Sequence, residues 1–425
     1  MRLTVSLLAV TILWGLSWMG RPLRVVDGSE KSTRPDDAEA VLARGKAFYD
    51  KQCTYCHGPT GGGDGQMARY LDPRPRNFHR GEFKLASTSN GVPTDEDLLG
   101  VVKRGMLGSA MPSWSRFPEE DLRAVVAYVR HLTKEGMRKK LSEPDEDGDL
   151  LTVEQVQRAI LARTTPGKKV EVAKESSRGR ALFLENCATC HGEDGTGRER
   201  DDLVTSDDYP ITPRDFTAGV FKGSSSPEAL FVRIRVGMPG TPMPSFDLPD
   251  ADVWEIIRYV RSLAGPPDIG DRPEEFMKRG EYLFRNLGCY VCHGEGGRGG
   301  IPNPNYIKDT VPALDTLADR FQLWEREDAQ TFIQLIQEGR DLASMQDDPP
   351  IERFPIVVAQ YQAIRDRIRH GSVPGKRVAE GPEPPLQMPT WGTSISDRDV
   401  DAIVVYLISQ YPWEEEEDDE DEEEK

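Results

Sequence analysis

Every cysteine of the chain falls in one of three short segments: Cys53-Thr54-Tyr55-Cys56-His57, Cys187-Ala188-Thr189-Cys190-His191 and Cys289-Tyr290-Val291-Cys292-His293. Two thiols separated by two residues and followed at once by an imidazole form the pattern of c-type haem attachment. The thiols bond covalently to the haem vinyl groups, and the imidazole reaches the iron from the proximal side. Two other chemistries fit less well. Zinc needs four ligands, and each segment offers three. A thioredoxin-like dithiol needs a βαβ context, and the chain has no strong strand pattern. The motifs therefore predict three haem c groups with their irons. Cys53 with Cys56, Cys187 with Cys190 and Cys289 with Cys292 are the covalent attachments, and His57, His191 and His293 the proximal ligands.

The surrounding elements repeat too. Upstream stand Arg44-Gly45, Arg178-Gly179 and Arg279-Gly280, each opening a short helical segment with an aromatic residue, Phe48, Phe183 or Phe284. Each histidine is followed by glycine (Gly58, Gly192, Gly294), which suits a tight exit around a flat cofactor. Downstream lie Met111-Pro112, Met243-Pro244 and Met388-Pro389. Then the apolar spacing predicts helices over 119–132, 250–263 and 397–410. Each has an aspartate near its start and a tyrosine seven residues on: Asp121/Tyr128, Asp252/Tyr259 and Asp399/Tyr406. Acidic residues favour a helix start, and Ser396 with Asp399 reads as a capping box.

Each of these segments resembles a class I cytochrome c domain. The resemblance covers most of residues 37–412 and implies an all-α chain of three tandem cytochrome c domains, with the first and last helices of each crossing beside the haem. It implies Met111, Met243 and Met388 as the distal iron ligands, and electron transfer by iron cycling between two oxidation states. A thioether is a soft, weak ligand that raises the reduction potential relative to bis-histidine ligation. Met106, Met238 and Met345 are rival thioethers; the first two read as helix core packing, and Met345 sits in a polar, acidic stretch. His79, His131 and His370 read as surface histidines. Arg76 and Arg214 either meet haem propionates or stand as solvated surface arginines.

The three segments are not equivalent. Pro75-Arg76-Asn77-Phe78 matches Pro213-Arg214-Asp215-Phe216, and Phe83-Lys84 matches Phe221-Lys222. The interval from His293 to Met388 is about forty residues longer than its counterparts, an insert with helices expected over 323–338 and 356–369. It is either a docking surface or a shield for the haem.

The chain has 425 residues, an apolar fraction of 37% and a net charge of -18. Residues 414–424 are all Glu or Asp and carry more than half of that charge, so a nucleic-acid partner is excluded. The expected organisation is a membrane anchor or cleaved signal at 1–20, domains at 37–135, 173–265 and 270–412, a charged linker at 136–172 and a disordered acidic tail at 413–425. Leu3 to Met19 is apolar and just long enough to span a bilayer, with Trp14 and Trp18 at its far end and no Ala-x-Ala-like site after it. Gly265-Pro266-Pro267 leaves almost no slack, which predicts that the second and third domains sit close. Asp145, Asp147 and Asp149 open a stretch like an EF-hand loop, but the glycine at loop position six is missing; either it binds calcium or it is an acidic linker capping a helix.

These readings predict a triheme electron carrier, not an enzyme, at the outer face of a bacterial inner membrane. Its partners would be a soluble basic cytochrome steered by the tail, a quinol-oxidising complex, a dehydrogenase or a terminal reductase. A cytochrome subunit of a membrane oxidoreductase, as in quinoprotein dehydrogenases, is the alternative. A haem peroxidase or gas sensor is the third reading and needs an open iron.

Overall fold

The computed structural model describes residues 35–141, 177–198, 200–263, 273–392 and 395–413. The apolar segment at 3–19, the aspartates Asp145, Asp147 and Asp149 and the acidic run at 414–424 lie outside the described residues. No described helix is long and apolar enough to cross a membrane. The chain divides into two units, Met1–Glu39 and Ala40–Lys425, and apart from the first residues of one helix everything that follows concerns the second.

The described chain is helical, with β-structure limited to isolated bridges. Around the first motif stand α1 (Pro35–Gln52), the motif turn α2 (Thr54–His57), α3 (Asp95–Arg104) and α4 (Glu119–Leu141). The second repeat has α5 (Ser177–Asn186), α6 (Ala188–His191), α7 (Pro227–Val236) and α8 (Asp250–Leu263). The third has α9 (Pro273–Asn286), α10 (Tyr290–His293), α11 (Leu317–Phe321), α12 (Arg326–Gln337), α13 (Phe354–His370) and α14 (Asp397–Ser409). The capping boxes Thr94/Asp97 and Ser396/Asp399 start α3 and α14, and Ser226 with Pro227 at the first helical position starts α7.

The Arg-Gly pairs and the Asp/Tyr pairs have one explanation. In each repeat the helix before the motif crosses the last helix at the glycine. A Cβ at Gly45, Gly179 or Gly280 would overlap the carbonyl of Ala124, Glu255 or Ala402. The preceding arginine pairs with the aspartate: Arg44 Nε with Asp121 at 2.6 Å, Arg178 Nε with Asp252 at 2.9 Å, Arg279 Nε with Asp399 at 3.1 Å. The tyrosine then stacks, tilted, on an aromatic ring one turn after the glycine. These ring pairs are Tyr49–Tyr128, Phe183–Tyr259 and Phe284–Tyr406, with centroids 5.2–5.7 Å apart. The counterpart of Phe183 and Phe284 is thus Tyr49, not Phe48. Spacing from the glycine sets it, and Phe48 turns instead to Trp114 and Phe117.

Each repeat buries its own core. Tyr49, Leu98, Trp114 and Val125 belong to the first, and Phe183, Phe231, Trp254 and Ile257 to the second. The third is larger, because Phe321 of α11 and Phe332 of α12 pack with Phe354 and Tyr361 of α13. Both expected insert helices are present, as α12 and α13, but α13 is no insertion. It ends at Gly371 as α3 and α7 end at Gly105 and Gly237, so the additions are α11, α12 and the arm 373–387.

The second and third repeats do abut, through the hydroxyls of Thr217 and Tyr282 and through Arg214 Nη1 donating to the Asn286 carbonyl at 3.2 Å. The first repeat meets both as well, despite the long linker after it. Arg80 pairs with Asp207 of the second repeat, Tyr290 donates to Asp72 at 3.4 Å, and Arg116 pairs with Glu383 at 3.2 Å.

Candidate functional site

Each motif sits where a helix ends and turns. The histidine amide donates to the first cysteine's carbonyl (2.9 Å at His57, 3.0 Å at His191 and His293), winding Cys-x-x-Cys-His into one helical turn. The next glycine, at φ +74° to +75°, then turns the chain away, a backbone that a side chain would strain. In all three repeats the histidine's Nδ1 faces a backbone carbonyl. The partners are Arg76 O at 3.2 Å, Arg214 O at 3.3 Å and Pro312 O at 3.4 Å. A proton held on Nδ1 leaves the Nε2 lone pair for a metal, the usual arrangement of a ligating histidine. Phe78 stacks on His57 at 4.6 Å and Phe216 on His191 at 4.4 Å, fixing the ring planes. Burial pushes His57 and His293 down to about 4 and lowers His191, so each imidazole is neutral at physiological pH. Neutral imidazole is the ligating form.

The thiols are free, and no two of them form a disulfide. Burial pushes Cys56, Cys289 and Cys292 up to about 12 and Cys187 to about 11, and raises Cys53. They are uncharged thiols in apolar surroundings, where a thioether strands no charge.

Two cavities open beside these turns. The one in the first repeat measures about 170 Å³ and is walled by Cys53, Cys56, His57, Phe78, Met106 and Met111. Its counterpart measures about 300 Å³ and is walled by Cys187, Cys190, His191, Phe216, Met238 and Met243. Both walls are mainly apolar, with thiols and imidazole on one side and thioethers on the Met-Pro arm. That donor set fits an iron tetrapyrrole bound through two thioethers and two axial ligands. Met106 and Met238 do not pack in a helix core as expected. They lie just past Gly105 and Gly237, in the arms, and line the cavities.

The Met-Pro arm is built alike three times. The helix-ending glycine (Gly105, Gly237, Gly371) lies on the Met-Pro backbone, where a Cβ would overlap it. The aromatic amide two residues after the proline donates to the helix: Trp114 to Val102 O, Phe246 to Ile234 O, Trp391 to Ile368 O. Met111 O accepts from Met106 N at 3.0 Å, Met243 O from Met238 N at 3.1 Å, and Met388 O from Ser372 N at 3.0 Å. Met345 is elsewhere, in the single turn Leu342–Met345 against the core of the third repeat. His79, His131 and His370 are exposed, as expected.

A family model described as cytochrome c matches residues 176–264 and 277–410, more than half of the chain. The chain belongs to the cytochrome c family. A second model, cytochrome C oxidase, cbb3-type, subunit III, matches residues 40–129 of this cytochrome. Among relatives, the cbb3-type cytochrome c oxidase subunit FixP of Bradyrhizobium diazoefficiens is 28% identical over 178 residues, 40% of this chain and 53% of FixP. The cytochrome bc1 complex cytochrome c subunit of Mycobacterium tuberculosis is 29% identical over 198 residues, 43% of this chain and 65% of that subunit. The cytochrome thus spans about half to two thirds of the length of these relatives. A chain of the Kuenenia stuttgartiensis reducing HAO-like protein complex aligns over 52% of this chain and 96% of its own, at 34% identity and a TM-score of 0.43. Membership of this family implies haem c with its iron as the cofactor.

Proposed function

We propose that the chain is a triheme c-type cytochrome that relays electrons at the outer face of a bacterial inner membrane, as a subunit of a membrane oxidoreductase complex. The observation that carries this reading is the frame found in all three repeats: a histidine whose Nδ1 faces a carbonyl, and a Met-Pro arm pinned to a helix end. In each of the domains 37–135, 173–265 and 270–412, two cysteines hold one haem covalently. His57, His191 and His293 would hold its iron through Nε2, and Met111, Met243 and Met388 through sulfur. When bound, haem c supplies an iron that alternates between ferrous and ferric states. The chain's part is to supply the imidazole and thioether donors and to keep water out with apolar walls. An iron with both axial positions filled offers no site to a substrate, so the chain is a carrier and the catalyst is a partner. Relatives named as subunits of cbb3-type oxidase and of the bc1 complex support the membrane and multi-subunit setting.

The test is haem quantification on the purified protein, then an optical redox titration and exposure of the reduced protein to carbon monoxide. Three haems per chain, three redox waves and no carbon monoxide adduct are expected. Fewer haems would end the triheme reading, and an adduct in the native protein would favour an open-iron enzyme or gas sensor. Co-purification with a second redox subunit in the membrane fraction tests the setting.

A further inference from the structure

The seam between the first and second repeats holds a group of cations for which the described residues supply no ion pair. Lys84 is buried, with only 9% of its surface exposed, and lines both the first and the second cavity. Lys222 lines the second cavity with it. Arg76 lines the first cavity, yet its guanidinium lies against Gly240 in the methionine arm of the second repeat. Arg214 does the reverse: it lines the second cavity and lies against Gly108 in the methionine arm of the first. A side chain at Gly108 or Gly240 would collide with the visiting guanidinium, and both glycines also stand at positive φ, +73° and +75°.

The nearby carboxylates are engaged elsewhere. Glu82 accepts from Ser206, Asp207 pairs with Arg80, Asp72 accepts from Tyr290, and Asp215 accepts from Thr217. Among the described residues no carboxylate stands within ion-pair distance of Arg76, Lys84, Arg214 or Lys222, and the buried Nε of Arg214 has no partner. Burial disfavours the charged form of an ammonium with no anion paired to it, so an anion brought into the cavity would stabilise Lys84 there. Burial and the neighbouring arginines press the same way, pushing Lys84 down to about 8 and lowering Lys222.

We propose that Arg76, Lys84, Arg214 and Lys222 form one carboxylate cradle shared by the haems of the first and second repeats, each repeat supplying cations in trans to the other's haem propionates. The proposal rests on the haem reading above. A carboxylate is the anion that a tetrapyrrole brings into these cavities, and charged donors are the partners that hold it. Lys84 is the sharpest case, because it belongs to the first repeat and walls the cavity of the second.

The experiment is an optical redox titration of the holoprotein bearing Lys84→Met, with haem content measured alongside. Loss of a cation beside a haem carboxylate destabilises the electron-rich state, so the potential falls. Two of the three waves are expected to move down together and the third to stay, with Lys84→Arg restoring both. Movement of one wave only, or of none, in protein carrying its full haem complement would overturn the shared cradle and leave the triheme reading intact. A wild-type protein with fewer than three haems would instead count against that reading. If Lys84→Met does not fold, Lys222→Met reads the same pair of waves from the other side of the seam.

Discussion

Met106 and Met111 line one cavity, and Met238 and Met243 another, so position alone does not choose the ligand. The third repeat favours the Met-Pro methionine of the proposed assignment. The place of Met106 and Met238, bonded through the backbone amide to the Met-Pro carbonyl, is taken there by Ser372, whereas Met388 keeps the Met-Pro position. Met111→Ala should therefore open one iron, so that the reduced protein binds one equivalent of carbon monoxide where the native protein binds none. Met106→Leu should leave it closed. Titration with carbon monoxide followed optically reads both, and an adduct in the Met106 variant would reverse the assignment. The turn that places each motif histidine was legible because the motif is contiguous and lies in five residues. Of the seam's cations, the chain singles out Arg76 and Arg214 as possible carboxylate partners, but not the two lysines. The recurrence of Phe-Lys at 83–84 and 221–222 was visible in the chain. That both lysines converge on one buried place depends on how two repeats pack, and a single repeat carries no sign of that.

The crossing of first and last helices rests on a glycine and on an arginine–aspartate pair, and the pair differs in depth between repeats. Arg44 and Asp121 are partly exposed to solvent, whereas the side chains of Arg279 and Asp399 are 4% and 7% exposed. Removing one member of a buried pair leaves a charge without compensation, at about 3–5 kcal/mol. Asp399 also holds the Ser396 cap, accepting from its amide at 3.0 Å and its hydroxyl at 2.8 Å. Arg279→Met is thus expected to cost about 3–5 kcal/mol in urea unfolding, while Arg44→Met leaves the midpoint nearly unchanged. Equal losses would show that depth does not set the worth of this pair. Gly280→Ala forces a methyl group onto the Ala402 carbonyl. Overpacking of that kind costs typically about 1–3 kcal/mol, and the backbone contact places this case at the upper end, measured by the same unfolding. The helices themselves were legible from apolar spacing and capping residues. The pairing of each Arg-Gly with its distant Asp was not, because both halves recur at regular intervals but nothing local says that they touch.

Intervals in sequence mislead about which repeats are neighbours. A short connection joins the second and third repeats and a long one joins the first and second, which by itself predicts one tight pair and a tethered outlier. Domains within a chain move relative to one another by default unless their interface is large and well anchored. Here the first repeat is anchored to both others. Met67 and Leu71 pack in one cluster with Val311 and Leu386 of the third repeat, and Cys56 and Cys292 border that same cluster. Gln52 accepts from the Glu383 amide at 3.0 Å, so the arm 373–387, which the first two repeats lack, is what reaches back to the first repeat. The insertion in the third repeat therefore works as an internal clasp. It follows that the covalent connection over residues 142–176 is dispensable once the protein has folded and taken up its haems. Introducing a specific protease site there and cutting the holoprotein should give two fragments that co-elute in size-exclusion chromatography and keep the redox waves of the intact chain. Arg116→Ala combined with Gln52→Ala removes three polar ties to the arm, and it should let the cut fragments separate at lower urea. Free dissociation of the cut native protein would show that the linker, and not the packing of the repeats, holds the first repeat in place.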